Sequence, residues 1–284
     1  MEEKRLILGF QKSEITEHHI YQNLSRFADQ KNRQVLEKLS RDEARHYAFW
    51  KKYTKTDVKP SKIKIIFYTL LARILGLTFS VKLMEAGEKE AEINYKKVLK
   101  KFPGAKAILK DEEDHEEALV NMIDEEAVKH IGSMVLGIND ALVEITGTLA
   151  GLTFALNNTA LVGLAGTVTG ISATLSMAAS EYLSKRTEGN SNAFRAATYT
   201  GIAYLVAVFA LVVPYFLLKS PLGALSFTLV NVILIIFGFT FFSSVIRSAS
   251  FKRSFLEMIS ISLGVAFVSF VIGMFARNVL NIQA

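Results

Sequence analysis

Two spacings recur in the first 120 residues, and both are made of metal-ligating side chains. Glu14 stands seven residues before Tyr21, and Glu88 stands seven before Tyr95. Each pair is followed by an Asp-Glu-x-x-His string, Asp42-Glu43-Ala44-Arg45-His46 and then Asp111-Glu112-Glu113-Asp114-His115. On a helix, residues three apart share a face, so Glu43 with His46, and Glu112 with His115, can each grip one centre. Two such helices, plus Glu14 and Glu88 from two others, supply four carboxylates and two imidazoles. That set holds two divalent metal ions inside a four-helix bundle. Tyr21 and Tyr95, two turns from their glutamates, are expected beside the cluster.

The donor chemistry is bounded by composition. The chain has no cysteine, which leaves carboxylate, imidazole and thioether as ligands. Glu17 and Glu85 lie one turn from Glu14 and Glu88; Glu17 is a candidate extra ligand. His18, His19 and His130 have no partner at ligand spacing and read as surface or packing residues.

The elements that must position these groups are helices throughout residues 1–130, punctuated by Pro60 and Pro103-Gly104. Of 33 Lys and Arg, 25 precede Ile131, as do 22 of 27 Asp and Glu. The first 130 residues are thus a charged helical domain, and 131–284 are too apolar to be one. Five stretches there can each cross ~30 Å of hydrocarbon: 133–156, 160–183, 196–218, 222–246 and 255–276. With the N-terminal domain inside, Lys185, Arg186, Arg195, Arg247, Lys252 and Arg253 are inside, and Lys219 and Arg277 outside. This asymmetry predicts an N-in, C-out protein of the cell membrane. The charged N-terminus lacks a signal-peptide core. No dense basic tract interleaved with aromatics suggests nucleic acid. Residues 62–85 are apolar but carry Lys64, Arg73 and Lys82, which predicts one long amphipathic helix lying on the membrane or covering the bundle.

Spans one and two carry the polar residues that an anchor would not need. Asp140, Glu144, Gly147 and Gly151 form one stripe, and Gly163, Gly166, Gly170, Thr174, Met177 and Glu181 another. Small residues let helices approach closely. Carboxylates on such a stripe are expected to face the bundle or a symmetry mate, because charge at membrane depth is costly. Asp140, Glu144, Met177 and Glu181 could line a path for Fe²⁺ or Mn²⁺, with carboxylates that also carry protons.

Residues 1–125 resemble the rubrerythrin/erythrin branch of the ferritin-like superfamily through the doubled Glu…Tyr and DExxH elements. That resemblance implies a di-iron centre, which Mn or Zn can substitute, at Glu14, Glu17, Glu43, His46, Glu88, Glu112 and His115. The four-cysteine iron domain of a full rubrerythrin is missing. The strings NDALVEITGTLAGL (139–152) and GTVTGISATLSMAASEYLSKRTE (166–188) resemble the first two spans of the vacuolar iron transporter family. That family has five spans, forms dimers and exchanges Fe²⁺ for protons; its first-span Asp maps to Asp140 and its second-span Met to Met177. A glutamate expected near 169 is Thr169 here, and the metal-binding helices after span two of plant members are absent. The fusion resembles the membrane-bound ferritin, or erythrin–vacuolar iron transporter, family.

The sequence therefore reads as all-α: a ferritin-like four-helix bundle (1–130) followed by a five-span membrane domain (131–284). The expected function is a homodimeric, proton-coupled exporter of cytoplasmic iron. No catalytic residue is assigned, and ferroxidase activity in the bundle stays open. The alternative is a membrane-anchored di-iron oxidase or peroxide scavenger.

Overall fold

The computed structural model describes residues 2–98, 101–102, 104–121 and 130–280. Chain contacts divide it into two units, Met1–Val128 and Lys129–Ala284. The described residues of the first unit form α1 (Glu2–Ser25), α2 (Gln30–Thr54), α3 (Lys62–Leu75), α4 (Leu77–Val98) and α5 (Ala105–Asn121). The second holds α6 (Ile131–Leu156), α7 (Thr159–Thr187), α8 (Ala193–Leu217), α9 (Pro221–Arg247) and α10 (Phe251–Leu280).

Local chemistry sets most of these boundaries. Asp29 caps α2 by accepting from the Asn32 N–H at 3.0 Å, and Lys55 closes it in the left-handed region. The stretch expected as one helix from 62 to 85 is instead two. Gly76 (φ 94°, ψ 156°) ends α3, a conformation that only glycine adopts without strain, and Leu77 begins α4. Fourteen residues at ~1.5 Å each reach only about 21 Å, too short to span a bilayer.

In the first unit α1 packs on α2 and α3, α4 on α3 and α5, and α5 on α2. Its apolar side chains gather in two layers. One holds Phe10, Trp50 and Ile108; the other holds Ile20, Leu39 and Leu119. Along α1, α2 and α5 the stretch between these layers contains Glu14, Glu43 to His46, and Glu112 to His115. The polar residues are therefore walled off by hydrophobic layers at both ends.

All five helices of the second unit are long and apolar enough to cross a membrane. The α6–α7 corner is built by adjacent asparagines. Asn157 terminates α6 with φ 49°, and the Asn158 side chain caps α7 at Leu161 N–H, 3.1 Å. Ser220 caps α9, with Pro221 in the first turn, where its missing N–H costs nothing. Helix α6 packs against each of α7 to α10, and its Leu142, Ile145 and Leu149 are buried in the core of the unit.

The predicted small-residue stripes do mark close approaches, but they do not meet each other. A Cβ on Gly147 or Gly151 would press on Ser269 of α10 at 3.0 Å. On α7, Gly163 faces Tyr215 and Phe216 and Gly170 faces Val208, all of α8, while Gly166 comes closest to Leu149 of α6.

Candidate metal centre

Helix geometry places Glu43 and His46 on one face of α2 and Glu112 and His115 on one face of α5. Packing of α1, α2 and α5 then brings the two faces and Glu14 together. Ligand atoms of Glu14, Glu43, His46 and Glu112 all lie within 4.8 Å of one another. Nδ1 of His46 lies 3.4 Å from Glu14, 3.5 Å from Glu43 Oε2 and 3.3 Å from Glu112 Oε1. Nδ1 of His115 lies 3.2 Å from Glu43 Oε1 and 3.5 Å from Glu112 Oε2. Each of Glu43 and Glu112 thus places one oxygen beside each histidine.

The opposite nitrogens of the two imidazoles are held crosswise. Nε2 of His46 is hydrogen-bonded to Asp111 at 3.1 Å, and Nε2 of His115 to Asp42 at 3.2 Å. The Asp of each DExxH string therefore braces the His of the other. Arg45 joins the braces, 2.5 Å from Asp42 and 3.5 Å from Asp111. Such outer partners would hold Nε2–H and leave Nδ1 as the ligand atom once a metal displaces its proton.

The donor set fits a divalent metal. Nδ1 of His46, Nδ1 of His115 and Oε2 of Glu43 are buried with no aligned hydrogen bond. Donors around one ion at about 2.0–2.2 Å sit about 3 Å apart, close to the separations seen here. Charges are strongly interdependent in the metal-free cluster. Burial raises Glu14 and Glu17 well above the carboxylate range, reinforced by neighbouring glutamates. Burial works against Glu43 as well, but His115 and His46 outweigh it and hold it at about 2. Burial also opposes charge on His115, yet Glu112 and Glu43 lift it to about 10, and His46 is raised the same way by Glu112, Glu14 and Glu43.

Glu17 feels the charges of Glu43, Glu14 and Glu112 and lines an adjoining cavity of about 100 Å³ with Thr16, Lys64, Tyr68 and Met84. Glu88 lies on α4, but its side chain, like that of Tyr95, falls outside the described residues. Tyr21 is buried in the apolar layer with Ile20 and Leu24. His18 bonds to Ser40 through Nδ1, and His130 stacks on Tyr199, as packing residues should.

In the second unit Glu144 accepts from the Tyr204 hydroxyl at 2.8 Å, midway along α6, on a face left exposed by the single chain. Asp140 is half-buried one turn away. Glu181 is buried and accepts from Ser133 at 2.5 Å, near the α6 start. Met177 packs against the core. Among the described residues no hydrogen bond or ion pair joins Asp140 and Glu144 to Met177 and Glu181. Tyr204 and Ser133 escaped the sequence reading, since a lone Tyr or Ser in a span carries no signal. The aspartates were visible in both strings, without any sign of which histidine each would brace.

Residues 131–193, covering α6 and α7, match the model of the VIT family. No curated protein and no solved structure matches the chain. The match and the five apolar helices support a multi-pass membrane protein, and the match points to metal transport.

Proposed function

We propose that this chain exports Fe²⁺ from the cytoplasm, in exchange for protons and as a homodimer, and that its first unit captures the metal at a ferritin-like di-metal centre. The observation that carries the reading is a coincidence of place. The VIT match ends just past α7, so it falls on the two helices that bear Asp140, Glu144, Met177 and Glu181. In the first unit, Glu14, Glu43, His46, Glu112 and His115 would hold the two ions, with Glu88 as the sixth ligand. Bound iron would supply a site for oxidising or handing on Fe²⁺. The residues themselves bury Glu14, Glu43 and both imidazoles between two apolar layers and hold Nδ1 of each histidine beside the carboxylates.

Reconstitution in liposomes tests the transport reading. Asp140→Asn keeps the shape and removes a hard anionic ligand that can carry a proton; Met177→Leu keeps the volume and removes a soft one. Both are expected to lose most Fe²⁺ flux while their metal content stays that of the parent chain. Parental flux in both, with normal elution on gel filtration, would overturn the proposed path.

A further inference from the structure

Helix α3 is apolar on two opposite faces, and only one of them is covered. Ile65, Tyr68 and Ala72 pack against the core of the first unit. The other face is bare: Ile63 is 83% exposed, Ile66 66%, Leu70 53% and Ile74 69%, with Phe67 beside them. These positions follow steps of 3, 1, 3 and 4, so they form one continuous arc about 100° wide. Lys62 and Arg73 fall along one edge of that arc and Lys64 beyond the other, at ~100° per residue. Residues 62–75 contain no Asp or Glu. Arg73 stacks over Phe27 at 4.3 Å, and Phe27 is itself half exposed, extending the apolar surface beyond the helix.

We propose that α3 lies flat on the bilayer, its bare arc in the boundary between headgroups and acyl chains, with Lys62 and Arg73 at anionic headgroups. An arc of large aliphatic residues with long basic side chains along one border suits that boundary, because the basic stems lie along apolar surface while their charges reach water and phosphate. The charge pattern also selects the occupant. A two-fold pairing of α3 with a second copy would confront two basic residues with two more and no acid on the helix to offset them. An anionic lipid surface has the opposite sign, and five apolar spans in the same chain keep it within reach. This assignment rests on α3 alone and is independent of metal binding and of transport.

The absence of native cysteine makes the test direct. Ile66→Cys, Leu70→Cys and, as an exposed polar control on α2, Lys38→Cys are each labelled with bimane in the full chain. The labelled chains are reconstituted in vesicles of phosphatidylcholine and phosphatidylglycerol. Trp50 emission, unchanged from the parent, shows that each variant is folded. Spin-labelled lipid is expected to quench the 66 and 70 labels at least about twofold more than the 38 label, and less when phosphatidylglycerol is omitted. Equal quenching without phosphatidylglycerol would overturn the role given to the basic residues. Iodide quenching at 66 and 70 equal to that at 38 would overturn the bilayer assignment, as would a 66–66 disulfide formed between copies of unlabelled Ile66→Cys under a mild oxidant without lipid quenching of the labelled chain.

Discussion

The side-chain amide of Asn231 donates to the backbone carbonyl of Ala210 at 2.8 Å. That carbonyl is the one Pro214, four residues on and inside α8, cannot satisfy, because proline has no N–H. Helix α9 thus repairs a gap in the ladder of α8 at a depth where water is unavailable. Asn231→Leu is expected to destabilise the membrane unit by about 1–3 kcal/mol, read by thermal unfolding in detergent. Adding Pro214→Ala should restore part of that loss, because the carbonyl regains its helical partner. A double variant no more stable than Asn231→Leu would show that the amide does something else.

The crossed Asp–His pairs carry the second expectation. Asp42→Asn or Asp111→Asn leaves every proposed ligand in place but removes the charge behind one imidazole, which should weaken metal binding about 10–100-fold. Glu43→Ala with Glu112→Ala should abolish binding outright. Competition titration with Co²⁺ separates the cases, and parental affinity in both Asp variants would refute the brace.

Proton linkage gives a third. In the metal-free protein, against the effect of burial, Glu112 and Glu43 push His115 up to about 10 from an ordinary 6.5. Its stabilising contribution is therefore complete below pH 6.5 and is lost as pH rises towards 10; His46 acts in the same direction. Glu14 and Glu17, also raised, oppose folding as the pH climbs above 4.5. Trp50 is the sole tryptophan and lies in the first unit, so its fluorescence follows that unit alone. Chelator-treated protein should unfold at lower urea at pH 9.5 than at 6.5, and divalent metal should reduce the difference by displacing those protons. A pH-independent midpoint without metal would contradict the charge assignment.

Close approach of α6 and α10 yields a fourth. A methyl group at Gly273 would be driven into the Gly151 carbonyl, whereas one at Gly264 on the same helix meets nothing. Gly273→Ala should cost about 1–3 kcal/mol of stability, and Gly264→Ala should be neutral or mildly stabilising. Thermal denaturation of the two variants side by side checks this, and equal midpoints would refute it.

Topology can be settled with an impermeant thiol reagent on intact cells. A cysteine replacing Asn157 is expected to react and one replacing Arg253 to be protected. The reverse pattern would invert the proposed orientation.

What the sequence determined by itself is whatever depends on spacing along one element. The pairing of Glu43 with His46 and of Glu112 with His115 follows from helical pitch, and the five spans follow from apolar length, so neither required knowledge of a neighbour. Residues 65 and 73 positions apart are another matter: that Asp111 braces His46 and Asp42 braces His115 depends on how α2 and α5 pack. The same holds for Tyr204 on Glu144 and Asn231 on Ala210, where a polar atom in hydrocarbon must find a partner and only helix packing says which. Gly76 shows the limit within a single segment. Glycine is tolerated inside helices, so its presence left a continuous helix open from 62 to 85. The positive φ of Gly76 breaks it, and Val81 and Met84 beyond the break join the same core as Ile65, Tyr68 and Ala72.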